Sequence, residues 1–340
     1  MFRFVTGCFM VATFCALSIA TVRASEVNVY SYRQPYLIEP MLEKFTDETG
    51  IKVNVLFAGK GLVDKMVQEG DSSPVDVLLT VDIGRLSDAV NQEVSQSFSS
   101  SVVNANIPSQ YRDPDRHWVG LTARARVVYA SIDRVAQDEI TYEELAGPEW
   151  AGRLCTRSGQ NAYNLALFAS LIAHHGEAET IEWLKGVKAN MARTPQGNDR
   201  GQVKGIFSGE CDISIGNTYY MAKMRTNDKE PEQKDWAASA KIIMPNADGR
   251  GTHMNLSGAV LAKHAPNQDN GIKLIEFLTE DIAQEMYAET NHEYPLKEGV
   301  GISDMVASFG DLNADTLDLI TIANNRVVAS EMVDLIGYDE

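Results

Sequence analysis

The chain has 340 residues, 44% of them hydrophobic, and carries a formal net charge of −17 from 30 Lys and Arg against 47 Asp and Glu. That size and apolar fraction are enough for two lobes of ordinary dimensions, each with a real core. A diffuse acidic surface repels phosphate, which makes nucleic acid and anionic membrane poor partners; the same acidity agrees with a cationic ligand and equally with plain solubility.

The amino terminus reads as an export signal. Arg3 is the charged start, Phe4 to Ala20 is an apolar run, and Val22-Arg23-Ala24 offers small residues at the cleavage positions, with cleavage expected after Ala24. The competing reading is a membrane span, which the charge at Arg23, the cleavage site and the lack of flanking basic residues oppose. Cys8 and Cys15 leave with the signal and do not sit in the Leu-x-x-Cys setting of a lipoprotein, so the mature chain keeps Cys155 and Cys211. In an oxidising compartment this pair is expected to form one disulfide closing a long loop, the alternative being two buried free thiols. One cysteine pair without nearby histidine spacing cannot complete a set of metal ligands.

From there strand-like and helix-like segments alternate. Val27 to Tyr30 reads as a strand, Leu37 to Thr49 as a helix stopped by Gly50, Lys52 to Phe57 as a strand, Leu62 to Glu69 as a helix and Val75 to Leu79 as a buried strand. This is the rhythm of a parallel, helix-covered α/β sheet. The Ser-rich patch Ser95 to Ser101 reads as a surface loop. Trp118 to Ala130 is a long extended run, Tyr142 to Leu145 begins a short acidic helix, and Asn161 to His174 and Ile181 to Ala189 have helical spacing. Gln202 to Phe207 precedes a strand over Asp212 to Ile215. The extended run Asn255 to Ala262 then leads into helices at Ile272 to Thr279 and Ile282 to Thr290. An extended segment returning this late suits two lobes joined by more than one crossing strand, with a cleft between them.

Two neighbouring tyrosines, Tyr219 and Tyr220, follow Asn217-Thr218 where that middle strand should turn into a helix. Phenols titrate near pH ~10, yet a small, highly charged cation displaces their protons and gains hard anionic donors; iron(III) is the obvious candidate. On a regular helix adjacent residues point about 100° apart, so both can reach one ion only from an irregular turn or a helix start. Asn217 and Thr218 are suitable cap residues for such a turn.

Several stretches together carry a resemblance over nearly the whole mature chain. The opening Val29-Tyr30-Ser31-Tyr32-Arg33-Gln34-Pro35-Tyr36, the segment Phe45 to Val53, Leu121 to Val127, Ser158 to Asn164 and Asn217 to Tyr220 resemble, in order, the ferric-ion-binding periplasmic proteins of ABC iron importers. The resemblance implies an α/β, two-lobed periplasmic binding protein fold of type II, each lobe a mostly parallel sheet flanked by helices. It further implies Fe(III) held in the cleft by phenolates, delivery to an inner-membrane ABC permease, and a monomer. The lobes it implies are residues 25–123 plus about 250–300 and residues 124–249 plus about 301–340.

Carried over onto this sequence, the tyrosine-rich subgroup of that family implies four metal ligands: Tyr36 after the first strand, Tyr163 at the start of a second-lobe helix, and Tyr219 and Tyr220. Each must be weighed against the common role of tyrosine as a half-buried amphipathic residue. Some relatives place a histidine just before the first of these; this chain has Pro35 there, and the neutral amide of Gln34 binds iron(III) weakly. The shell is then phenolate only, or completed by water or by a synergistic small anion such as carbonate. Tyr32 is the alternative ligand from the first lobe, whereas Tyr30 is expected to be buried. None of the six histidines falls in a family motif. Several phenolates around one trivalent ion leave negative charge to balance. Arg124, Arg33 and Lys223, four residues beyond Tyr219, are the candidates for this or for anion binding, with surface ion pairs as the ordinary alternative. Arg126 is expected on the opposite side of its strand.

Two rivals remain. An enzyme is disfavoured by the lack of a Gly-x-Ser-x-Gly elbow, a P-loop, an HExxH run and a GxGxxG after the first strand. The other keeps the fold and changes the ligand to an oxyanion or small organic molecule such as thiamine, a polyamine or a phosphonate, with Arg124 and helix N-termini serving the anion.

Overall fold

A computed structural model describes residues 25–340. The export signal and its cleavage after Ala24 lie outside the described residues.

The chain begins with β1 (Glu26–Ser31), α1 (Pro35–Thr49), β2 (Lys52–Phe57), α2 (Leu62–Glu69) and β3 (Val77–Thr80). Pro35 opens α1, where a missing N–H costs nothing, and Gly50 ends it in the left-handed region at φ 70, returning its N–H to Thr46 O. The helix buries Leu37, Ile38, Met41, Leu42 and Phe45, one apolar face at helical spacing. Two helices that the sequence left unassigned follow, α3 (Ile83–Asn91) and α4 (Ser101–Asn106). Asp82 caps α3 by accepting from Arg85 N, and Ser100 caps α4 by accepting from Val103 N. The Ser95 to Ser101 patch is therefore not a free surface loop: Ser95 bridges to Ala262, and both Ser95 and Ser100 are buried.

The middle of the chain contributes β4 (Trp118–Ser131), β5 (Leu154–Cys155), α5 (Ala162–His175), α6 (Glu177–Ala189), α7 (Asp199–Phe207), β6 (Ile213–Asn217), α8 (Thr218–Arg225), α9 (Glu232–Ala238) and β7 (Ala240–Ile243). The short acidic helix appears as a 3-10 turn over Glu143–Ala146. The chain then returns through β8 (Met254–Leu261), α10 (Gln268–Thr279), α11 (Asp281–Asn291) and β9 (Tyr294–Pro295). It ends with α12 (Asp304–Ala307), α13 (Leu319–Asn324) and α14 (Arg326–Leu335).

The strand order is β2-β1-β3-β8-β4-β6-β5, with β7 and β9 also paired to β4. The opening βα units give the parallel pairs β1/β2 and β1/β3, as their rhythm implies, and β5/β6 is parallel too. Where the long strands β4 and β8 enter, the pairing is antiparallel, so each sheet is mixed rather than uniformly parallel. β4 is shared by two sheets: Trp118 to Ala125 pair with β8, and Arg126 to Ser131 pair with β6 and β7. All fourteen of its residues are buried.

One apolar core lies between the first sheet and α1, α10 and α11, where Phe45 meets Phe277 edge to face at 5.5 Å. A second lies under α7 and α8. The largest joins residues of α2 and α3 such as Leu62, Ile83 and Leu86 to Leu165, Phe168 and Leu184 of α5 and α6. Phe168 sits edge to face with Trp183 at 5.7 Å and Tyr338 at 5.6 Å, and burial of such a ring contributes about 1.5–3 kcal/mol. The expected disulfide is present: Cys155 in β5 bonds Cys211, just before β6, 56 residues apart in sequence.

Candidate metal centre

β6 ends at Asn217 in extended conformation and α8 begins at Thr218, so Tyr219 and Tyr220 occupy the first helical turn. Their rings stack with centroids 4.3 Å apart and planes tilted by 29°. Asn217 does stand at the cap position, but its side chain does not cap: Asn217 Oδ1 instead accepts from Arg126 Nη1 at 3.0 Å, and the Thr218 hydroxyl has no partner. Tyr163, in the first turn of α5, has its N–H held by Asn161 Oδ1 at 3.0 Å. The Tyr219 and Tyr163 hydroxyls lie 3.5 Å apart. Three of the four tyrosines singled out in the sequence thus share one location.

Tyr36 stands apart from them. It is 50% exposed at the start of α1, and its ring faces Lys223 Nζ at 5.7 Å. Lys223 lies four residues beyond Tyr219, as its spacing implies, but its ammonium donates to Thr290 O and covers Tyr36 rather than the other phenols. Tyr32 is committed elsewhere: its hydroxyl accepts from Leu62 N at 2.8 Å and Val63 N at 3.0 Å, capping α2, while Arg85 covers the ring at 4.1 Å. Tyr30 is buried, as expected, and donates to Glu69. Gln34 is exposed at the cap of α1 and makes no cap bond.

Guanidinium groups surround the three phenols. Arg124 and Arg157 each lie 5.4 Å from the Tyr163 ring, and Arg200 lies 5.1 Å from Tyr220. Arg33 and Arg124, both 2% exposed, donate to the same Ser257 hydroxyl at 2.6 Å each, one for each oxygen lone pair. Arg33 also pairs with Glu293 at 2.8 Å. The Nε atoms of both arginines have no partner. Arg126 does not turn away: residues two apart in a strand share a face, and it reaches Asn164, Asn217 and Asp199, all beside the tyrosines. Sequence reasoning missed Arg157, although it borders the Ser158 to Asn164 motif, and missed Arg200 and Asp199, for which no local signal exists.

Burial pushes the Tyr219 phenol well above its ordinary range, reinforced by neighbouring Tyr163 and Tyr220, while Arg124 pulls the other way. Burial raises Tyr220 to about 12, with the Asp199 carboxylate adding to the shift and Arg157 opposing it. At neutral pH these phenols keep their protons unless a strong Lewis acid takes the oxygens. Among the described residues there is no cluster of three or more His, Cys, Asp or Glu able to hold a metal ion. The histidines lie elsewhere, with His174 on Asp315, His175 on Glu143 and His264 on Asp71.

Two α/β sheets joined through one shared strand, with buried cations and phenols gathered near the junction, define a two-lobed solute-binding protein of the type II periplasmic architecture. The chain belongs to the family described as bacterial extracellular solute-binding protein, which matches residues 55–308. It is 42% identical over 316 residues to iron uptake protein A1 of Synechocystis, covering 92% of this chain and 87% of that protein. The apo ferric ion-binding protein A of Pasteurella haemolytica superposes with a TM-score of 0.89 at 52% identity, over 93% of this chain and 99% of that one. A Trichodesmium protein solved in complex with iron and citrate ligands superposes at 0.86 with 38% identity, over 92% and 100%. Among the described residues no helix is long and apolar enough to cross a membrane.

Proposed function

We propose that this chain is the periplasmic receptor of an ABC iron importer, capturing ferric iron through the phenolates of Tyr36, Tyr163, Tyr219 and Tyr220 and handing it to an inner-membrane permease. The observation that carries the reading is the gathering of Tyr163, Tyr219 and Tyr220 under guanidinium groups, with the Tyr163 and Tyr219 hydroxyls 3.5 Å apart and the Tyr219 and Tyr220 rings stacked. Hard oxygen donors favour the trivalent over the divalent ion. Arg124 and Arg33 offset the charge of the phenolates and leave unpartnered Nε donors for a small anion such as carbonate. The iron-binding names of relatives 35–53% identical support this over an oxyanion or organic ligand. Capture rather than turnover is the activity, in keeping with the family. The lobes are residues 25–123 plus about 250–300 and 124–249 plus about 301–340; the change of partner along β4 between Ala125 and Arg126 supports that division. Export with cleavage after Ala24 and a monomeric state complete the reading.

The test is a ferric citrate titration of wild type and of the Tyr219→Phe/Tyr220→Phe double variant, followed by visible absorption and elemental analysis. Wild type is expected to become coloured, and the variant to lose the colour and at least about 100-fold in affinity. Each phenol must lose a proton to bind, so wild-type affinity falls as pH falls, by up to about tenfold per pH unit for each phenol displaced. Unchanged affinity in the double variant would falsify the assignment.

A further inference from the structure

One buried acid beside the tyrosines has no part in the capture just described. Asp199 is fully buried at the start of α7. Its Oδ2 accepts from Arg126 Nη1 and from Asn217 N, both at 2.8 Å, and its Oδ1 accepts from Arg157 Nη1 at 3.0 Å. Desolvating such a triad is costly, and apolar replacement is often neutral or stabilising, so stability alone is a weak reason for its presence.

What the triad does is geometric. Asn217 is the last residue of β6, two before Tyr219, and its backbone is pinned on one side by Asp199 and on the other by the Tyr129 hydroxyl, which donates to Asn217 O. Arg126 also bonds Asn217 Oδ1 and the side chain of Asn164, the residue after Tyr163. Arg157, held by the second carboxylate oxygen, lies over the Tyr163 ring. One carboxylate thus bonds the end of β6 directly and is linked to the start of α5 through Arg126 and Arg157.

We propose that Asp199 is a positioning residue of the capture site: clamped by Arg126 and Arg157, it fixes the β6–α8 turn and the start of α5 so that the three phenol oxygens meet. The inference rests on the ferric reading above. Charge matters as well as shape. Two arginines are held by one carboxylate, whereas an amide at 199 removes the charge that clamps them and turns an N–H donor toward a guanidinium.

The test compares wild type with Asp199→Asn, Asp199→Glu and Arg157→Met by ferric citrate titration, reading the ferric–phenolate absorption maximum, affinity, and melting of the iron-free protein. Asp199→Asn is expected to weaken iron binding about 10- to 100-fold and to shift the absorption maximum, with partial recovery in Asp199→Glu. Arg157 is only partly buried, so Arg157→Met is expected to shift the maximum with little change in melting. Wild-type affinity and maximum in Asp199→Asn overturn the proposal. A loss of affinity with the maximum in place also overturns it, being the mark of lost stability alone. If Asp199→Asn does not fold, an unmoved maximum in Arg157→Met overturns it. A wild-type protein that takes up no iron sinks the ferric reading instead, and this is seen before any variant is made.

Discussion

At position 253, just before β8, a histidine is sealed to 2% exposure with neither ring nitrogen hydrogen-bonded. Burial, with Arg126, His174, Arg250 and Arg124 nearby, lowers its pKa to about 3 from the ordinary 6.5. The folded value lies below the unfolded one, so the unfolded chain takes the proton first. The neutral ring's contribution is complete above pH ~6.5 and is lost as pH falls toward 3, at up to about 1.4 kcal/mol per pH unit. Thermal melts between pH 7 and 5 are expected to show the melting temperature of His253→Leu falling less steeply than that of wild type; parallel curves would remove His253 as a cause of acid lability. Tyr219 and Tyr220 could be picked out beforehand because a tyrosine pair after Asn-Thr at a strand's end is a local pattern. Asp199 could not, since an acid in the first turn of a helix is ordinary. Its partners at 126, 157 and 217 meet it only in three dimensions.

Elements with strong periodicity were readable from sequence almost to the residue. β2 and α2 fall where expected, and α1 gains only Pro35 and Tyr36. Helices α3 and α4 were not, because Gly84 weakens the start of one and the other is a single turn or so within a polar stretch. The strand-to-helix switch at Asn217 was legible in kind, although the side chain that should have capped the helix is drawn to Arg126. The Cys155–Cys211 bond ties β5 to the start of β6 and closes a loop of 56 residues that contains α5, α6 and α7. Loop-closure entropy for that length gives about 4 kcal/mol. Denaturant unfolding of a Cys155→Ser/Cys211→Ser protein is expected to show a loss of that order; a loss below about 1 kcal/mol would mean that the unfolded chain is already compact there.

Across the whole molecule, the alternating pattern foretold helix-covered sheets and a late crossing strand, but not how the halves adhere. One core passes from Leu62 and Leu86 to Phe168, and Arg326 at the start of α14 reaches back to Asp88 on α3 at 3.2 Å while α14 and its tail bond the loop before α5 through Ser330–Gln160 and Asp339–Ser158. Such contacts between distant segments leave no periodic trace. The candidate site is lopsided in the same way. Tyr163, Tyr219 and Tyr220 stand at the starts of α5 and α8, whereas Tyr36 stands at the start of α1, half exposed beside Lys223. Tyr36→Phe is therefore expected to keep the colour of the iron complex and lose roughly 10-fold in affinity, much less than the double variant at 219 and 220. Equal losses in the two titrations would show that all four phenols act as one unit.

The lopsidedness sets an order of events. On the ferric reading proposed above, an arriving ion would meet Tyr163, Tyr219 and Tyr220 gathered on a single wall without any swing of the opposite wall, leaving Tyr36 to close last as a latch. On the same reading, unloading would start at that latch, by retracting the half-exposed Tyr36 side chain while the other three stay gathered for the next cargo.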